Sequence, residues 1–398
     1  MNRIKPELLF IYIGLFVYFI FSAIFLIEKS KVGSDYAISE MIINYNGGFT
    51  RRGFLGQIFY FLHDYLNFDL NNVIVFFQIL FSGFYTILLF FLFKKIKQKI
   101  NKLDVLILFL PTLLFYPLYE LESLGRKEIL IFISFSFLVL QGKNISLIIT
   151  LIFSLLILPF IVLTWEIFVL YLPFYFLIFY IQYNVKNFIE SLKILLIFFP
   201  AIIAFIFIWL NPIDKEGHEI MCKTIKCTGY GAPNFLLTTN VYFDGWIHGW
   251  MHEKASIINY FRYFVFLIIS LLPFYIFSID SRIIKKNLYL FHNFKYFHQI
   301  IIILFLFPIL LYLYALDWGR WINIFITLTY ITMIFFKIVN FTEHKNFKIF
   351  DKINNFYLAI LFFIYCFSWN PKILLWDDTG SLPILRLVIK VIKLVFYI

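Results

Sequence analysis

Long apolar runs separated by short charged or turn-forming breaks dominate the chain. They fall at 8–27, 73–93, 103–118, 129–140, 145–163, 167–182, 192–210, 258–279, 299–316, 322–340, 356–369 and 381–398. About 20 apolar residues in helical form cross a bilayer, so the pattern predicts an all-α polytopic membrane protein with about 11 or 12 transmembrane helices. Two polar stretches interrupt it. Within 28–72, the segment FLGQIFYFLHDYLNFDL (54–70) is apolar but broken by Gln57, His63, Asp64 and Asp69. That pattern predicts an amphipathic helix lying at the membrane surface. The second stretch, 211–256, has about 46 residues, too few for a full domain and enough for a lid. Residues 1–398 are expected to form a single transmembrane domain.

Composition agrees. The chain is 62% hydrophobic and 23% aromatic, with a mean hydropathy of +0.88, outside the range of a soluble globular domain. The net charge of +11 would point to nucleic acid in a soluble protein; here it lies mostly in short loops between apolar runs and is explained by topology. Lys, Ile, Asn and Phe are all abundant, a bias an AT-rich genome produces, so the number of lysines alone says nothing of function. The start, MNRIKPELLF, leads into an apolar run too long for a signal peptide core, and is read as a retained anchor.

Sidedness follows from the positive-inside rule. With a cytoplasmic N-terminus, 21 of the 34 lysines and arginines fall inside and 13 outside. The arginines break the trend. Arg51, Arg52, Arg126, Arg262 and Arg320 fall on the outer side, while only Arg3, Arg282 and Arg386 fall inside. The unusual polar clusters share that outer side: SDY (34–36), NGGFTRRG (46–53), ELESLGRKE (120–128), Trp165-Glu166, DGWIHGWMHE (244–253), DWGRW (317–321) and WDDTG (376–380).

Guanidinium forks match phosphate oxygens two at a time, so Arg51, Arg52, Arg126, Lys127 and Arg320 are candidates for holding a diphosphate. Gly47, Gly48 and Gly53 would let the backbone turn or approach the ligand. The plainer reading pairs these arginines with lipid headgroups or with Glu120, Glu122 and Glu128. Asp35, just beyond the first helix, is a candidate general base on a sugar hydroxyl, with Glu40, Glu166 and Asp317 as rivals. Asp317 and Arg320 are spaced to pair on one helical face. With Trp318 and Trp321 they make either an interfacial aromatic belt or a sugar platform beside a phosphate-binding arginine. His248 and His252 have the spacing of metal ligands, but the pattern lacks a third ligand and a lid role fits better. Cys222 and Cys227 enclose four residues and form a candidate disulfide, a zinc pair being the alternative. No phosphate loop or dinucleotide turn occurs. No cofactor, no metal and no nucleic acid are therefore expected.

The loop after the first helix (Ser34 to Gly53), LGRKE (124–128) and DWGRW resemble bacterial polysaccharide polymerases of the O-antigen type and, more broadly, multispanning GT-C glycosyltransferases. The resemblance implies a bacterial inner-membrane enzyme with a periplasmic active site, taking glycan from a polyprenyl-diphosphate carrier in surface-polysaccharide synthesis. It would make Asp35 the base and set Arg51, Arg52, Arg126 and Arg320 on phosphate, although SDY carries one acid where many such enzymes carry two. Chain-length regulators or other assembly proteins would be partners. A flippase for the same lipid, or a membrane acyltransferase using His248 or His252 as base, are the rivals.

Overall fold

The computed structural model describes residues 5–32, 36–225, 231–234, 236, 257–284, 288–291, 294–315, 317–344 and 355–374. These residues are helical almost throughout. The strands among them, Ser281–Ile283 and Thr342–His344, pair antiparallel. Helices long and apolar enough to cross a membrane cover Pro6–Lys31, Leu70–Lys95, Leu147–Thr164, Ile257–Ile279 and Trp318–Ile338. A sixth span results if Phe188–Leu196 and Phe199–Leu210, bent by 51°, are one. Phe16, Phe76, Leu156, Trp209 and Phe261 stand exposed on these helices, as lipid permits and water does not. The chain is an all-α polytopic membrane protein.

The described residues thus hold five or six full-length spans where the run lengths predict 11 or 12, and prolines explain much of the difference. Pro lacks the N–H that would close a helical turn. The 103–118 run becomes Lys102–Leu108 and Tyr116–Tyr119, parted at Pro111; the 299–316 run becomes Phe297–Leu306 and Ile309–Tyr314, parted at Pro308. Pro200 stands in the first turn of Phe199–Leu210, just past the bend. Ahead of Pro159, residues Phe153–Ile157 open into a π-helical turn, a widening that absorbs one missing bond. The 129–140 run forms Glu128–Leu140 and stops short of spanning length. The 381–398 run lies outside the described residues.

Two compact units divide the chain. Unit 1 comprises residues 1–21, 89–123 and 249–398. It contains Trp318–Ile338, which is buried along nearly its whole length, so this helix faces protein rather than lipid and tolerates polar side chains. Asn323 Nδ2 donates to the carbonyls of Thr112 and Leu113, each at 3.0 Å, near the break at Pro111. Near the other end of the same helix, Lys337 pairs with the buried Asp104, whose carbonyl accepts from Tyr330 Oη at 2.8 Å. Asp104 also closes a capping box with Asn101, which fixes the start of Lys102–Leu108.

Unit 2 comprises residues 22–88 and 124–248. Here Leu158–Thr164 packs on Phe199–Leu210 and on Gly53–Leu66. The expected helix after the arginines forms as Gly53–Leu66. It buries Leu55 and Phe59 and exposes Phe61 and Tyr65. Of the 211–256 stretch, Lys215–Ile225 and Gly231–Asn234 are described. Both dock within the unit: Ala232 N donates to Ser39 Oγ at 3.3 Å, and His218 Nε2 lies 3.0 Å from the Pro233 carbonyl.

Candidate functional site

The arginine-bearing loop of unit 2 is built by short-range polar turns. Asn44 Oδ1 accepts from Asn46 N at 2.9 Å, and Gln57 Oε1 reaches back to Tyr45 N at 2.7 Å. These turns consume backbone donors that no sheet or helix satisfies. The chain then enters the helix Gly53–Leu66 through Arg52, whose φ of 65° is left-handed. For a residue with a Cβ that conformation costs about 1–2 kcal/mol and persists only where the surroundings over-determine it. One determinant is Lys127, whose Nζ donates to the Arg52 carbonyl at 2.7 Å. Gly56 is another: a Cβ there would stand 1.9 Å from the Ile43 carbonyl oxygen, so the helix can lie against the loop only with glycine at this position.

Side chains from four segments meet here. Glu166 follows the extended residue Trp165 at the end of Leu158–Thr164. The Arg52 fork engages Glu166, with Nε donating to Oε1 at 3.0 Å and Oε2 at 3.1 Å, and Nη2 lying 2.9 Å from Oε1. Arg51 Nη1 stands 3.8 Å from the same carboxylate. Glu40, on the short helix Tyr36–Met41, is fully buried and lies 3.7 Å from both Arg52 Nη1 and Arg126 Nη1. Arg126 also sits over the Tyr36 ring at 4.6 Å, a cation–π contact. The loop that carries Arg126 and Lys127 is pinned by Gln78 Nε2, which donates to the Gly125 carbonyl at 2.8 Å, and by Lys29 Nζ, which donates to the Leu124 carbonyl at 3.1 Å.

Charged side chains are rarely this buried unless they are paired, and here pairing decides protonation. Burial raises the Glu166 carboxyl pKa, but the charges of Arg52 and Arg51 and the Arg52 hydrogen bond outweigh it and hold it below the usual carboxylate value. Glu166 is therefore ionised at neutral pH and committed to orienting guanidinium groups, which makes it a poor proton acceptor. Lys127, a candidate for the ligand, fixes the backbone of Arg52.

Of the remaining sequence candidates, Asp317, Trp318, Arg320 and Trp321 belong to unit 1. Arg320 Nη1 donates to Asp317 Oδ2 at 3.2 Å, as the spacing predicts. Trp318 meets Tyr260, Tyr263 and Tyr312 edge to face, at centroid distances of 5.4, 6.2 and 5.3 Å. Asp35, His248, His252 and Cys227 lie outside the described residues. Cys222 is disulfide-bonded. Among the described residues no three His, Cys, Asp or Glu side chains gather as metal ligands would. Sequence reading missed Tyr36, Gln78 and Lys29 as supports. Gln78, a lone amide inside the apolar run VIVFFQILF (73–81), carried the clearest signal.

Compared with models of protein families, with curated proteins and with solved structures, the chain matches none.

Proposed function

We propose that the protein is a membrane glycosyltransferase that polymerises surface-polysaccharide units, accepting glycan from a polyprenyl-diphosphate carrier at the periplasmic face of the bacterial inner membrane. One observation carries the reading: Arg51, Arg52 and Arg126, from two loops, converge within 3.8 Å of two buried or nearly buried carboxylates in a membrane protein. Glu40 and Glu166 hold the guanidinium groups in fixed orientations before any ligand arrives. Preorganised cations of this kind stabilise the charge that develops on a diphosphate as it leaves, and guanidinium suits that task better than ammonium because its donors are paired in a plane.

The test is genetic and chemical. A strain lacking the protein loses long-chain polymer and accumulates single-unit lipid-linked glycan in the periplasmic leaflet. Arg52→Ala or Arg126→Ala reproduces that loss with unchanged membrane levels of the protein. Polymer of normal length in both variants would overturn the proposal, and accumulation in the cytoplasmic leaflet would point to a flippase.

A further inference from the structure

Three segments of unit 1, remote in sequence, meet at the first turn of Trp318–Ile338. Gly319 donates its N–H to the Ile373 carbonyl at 3.2 Å. A Cβ on Gly319 would lie 1.8 Å from the Lys372 carbonyl oxygen and 2.7 Å from Tyr116 Oη, so the 370–374 segment crosses the helix start at backbone contact. Tyr263 Oη secures that segment, donating to the Lys372 carbonyl at 3.0 Å and the Leu374 carbonyl at 2.6 Å. Glu120, next to the short helix Tyr116–Tyr119, accepts from Asn370 Nδ2 at 3.0 Å and stands 3.2 Å from Lys372 Nζ.

The charged groups come as acid–base pairs, Glu120 with Lys372 and Asp317 with Arg320. The polar atoms left over differ in kind. Asn370 is 1% exposed, and its Oδ1 has no hydrogen-bond partner among the described residues. Trp318 Nε1 and Tyr312 Oη are likewise buried without one. An acceptor, an N–H donor and a hydroxyl are thus each kept from water, and a buried polar atom left unmatched is destabilising. A phosphate, which offers acceptors only, cannot answer Asn370 Oδ1. A sugar hydroxyl both donates and accepts, and a sugar ring has apolar C–H faces for the aromatic side chains around Trp318. The Asp317 and Lys372 side chains are each 26% exposed, which leaves the constellation open at its edge.

We propose that Glu120, Asn370, Tyr312 and Trp318 form a saccharide subsite that receives the acceptor glycan; this rests on the glycosyltransferase reading above. Glu120 and Asn370 Oδ1 accept hydrogen bonds from sugar hydroxyls, while Trp318 Nε1 and Tyr312 Oη donate to them.

The full-length protein in detergent is titrated calorimetrically with oligosaccharides released from the host's own surface polysaccharide and, separately, with a polyprenyl diphosphate. Wild type is expected to bind the oligosaccharide, and Asn370→Ala and Trp318→Phe to weaken that binding about tenfold, the loss of roughly one buried hydrogen bond. Tyr312→Phe keeps the ring and removes only the unmatched hydroxyl. It should lower oligosaccharide affinity while the melting temperature of the sugar-free protein holds or rises. Polyprenyl-diphosphate affinity stays the same in all three variants. An oligosaccharide that does not bind wild type, or binds the variants equally well, would overturn the subsite and leave water as the partner of these atoms. Loss of polyprenyl-diphosphate binding by wild type alone would instead sink the donor reading and leave the subsite standing.

Discussion

Glu166 shows how one residue sets the character of the cation cluster. Its carboxylate holds the Arg52 fork through three contacts between 2.9 and 3.1 Å, and its pKa stands below the usual value because the arginine charges overcome burial. A depressed carboxylate binds protons more readily unfolded than folded, so its stabilising effect is complete above the ordinary value of 4.5 and fades as pH falls through the lower, folded value. At pH 7, Glu166→Gln removes one partner of a nearly buried pair and should cost about 3 kcal/mol. As pH falls below 4.5 and through the lower, folded value, wild type loses the same charge and the difference should shrink. Thermal unfolding of both proteins across pH 3 to 7 measures it, and a gap that stays constant would show that the arginines do not hold the Glu166 pKa below its unfolded value. The sequence pointed to Glu166 because a charge beside Trp165 is conspicuous between apolar runs. It gave no sign that Arg52 would be its partner 114 residues away, since pairing across that distance is decided by packing.

Elements were legible where local rules act alone. The stretch 54–70 reads as an amphipathic helix and forms Gly53–Leu66. Span number was legible only in part, because hydropathy averages over residues and is blind to the single missing N–H at Pro111 or Pro308 that ends a helix. Glycine roles divide the same way. Gly48, with φ of 107°, lies in open space, so its demand is conformational; Gly56 has ordinary φ but faces the Ile43 and Met41 carbonyl oxygens at 1.9 and 2.6 Å from a built Cβ. Gly48→Ala should therefore cost about 1–2 kcal/mol for a left-handed alanine. Gly56→Ala should cost at least about 2–3 kcal/mol by overpacking and displace Arg52 with the loop. Melting temperatures of the two purified variants compare these costs; equal losses would mean that helix and loop separate without resistance.

At the scale of the molecule, the decisive matter is the depth of the cation cluster in the bilayer. In unit 2 the span Leu147–Thr164 ends one residue before Trp165-Glu166, and Glu166 holds Arg52. At about 1.5 Å per residue, its 18 residues are roughly 27 Å long, close to the thickness of the hydrocarbon layer, with the cluster past its last residue and Lys143 ahead of its first. The arginines therefore belong at one membrane surface and Lys143 at the other. On the orientation expected from the lysine excess, Lys143 faces the cytoplasm and the cluster the periplasm, the side on which the proposed lipid-linked donor would be presented. Lys31 and Lys143 are both exposed, and Cys366 is fully buried, so cysteines introduced at the two lysines can be read against a quiet background. In cells with a permeabilised outer membrane, an impermeant maleimide should label Lys31→Cys at once and Lys143→Cys only after the inner membrane is ruptured. The opposite order would set the arginines in the cytoplasm and remove the basis for a periplasmic donor.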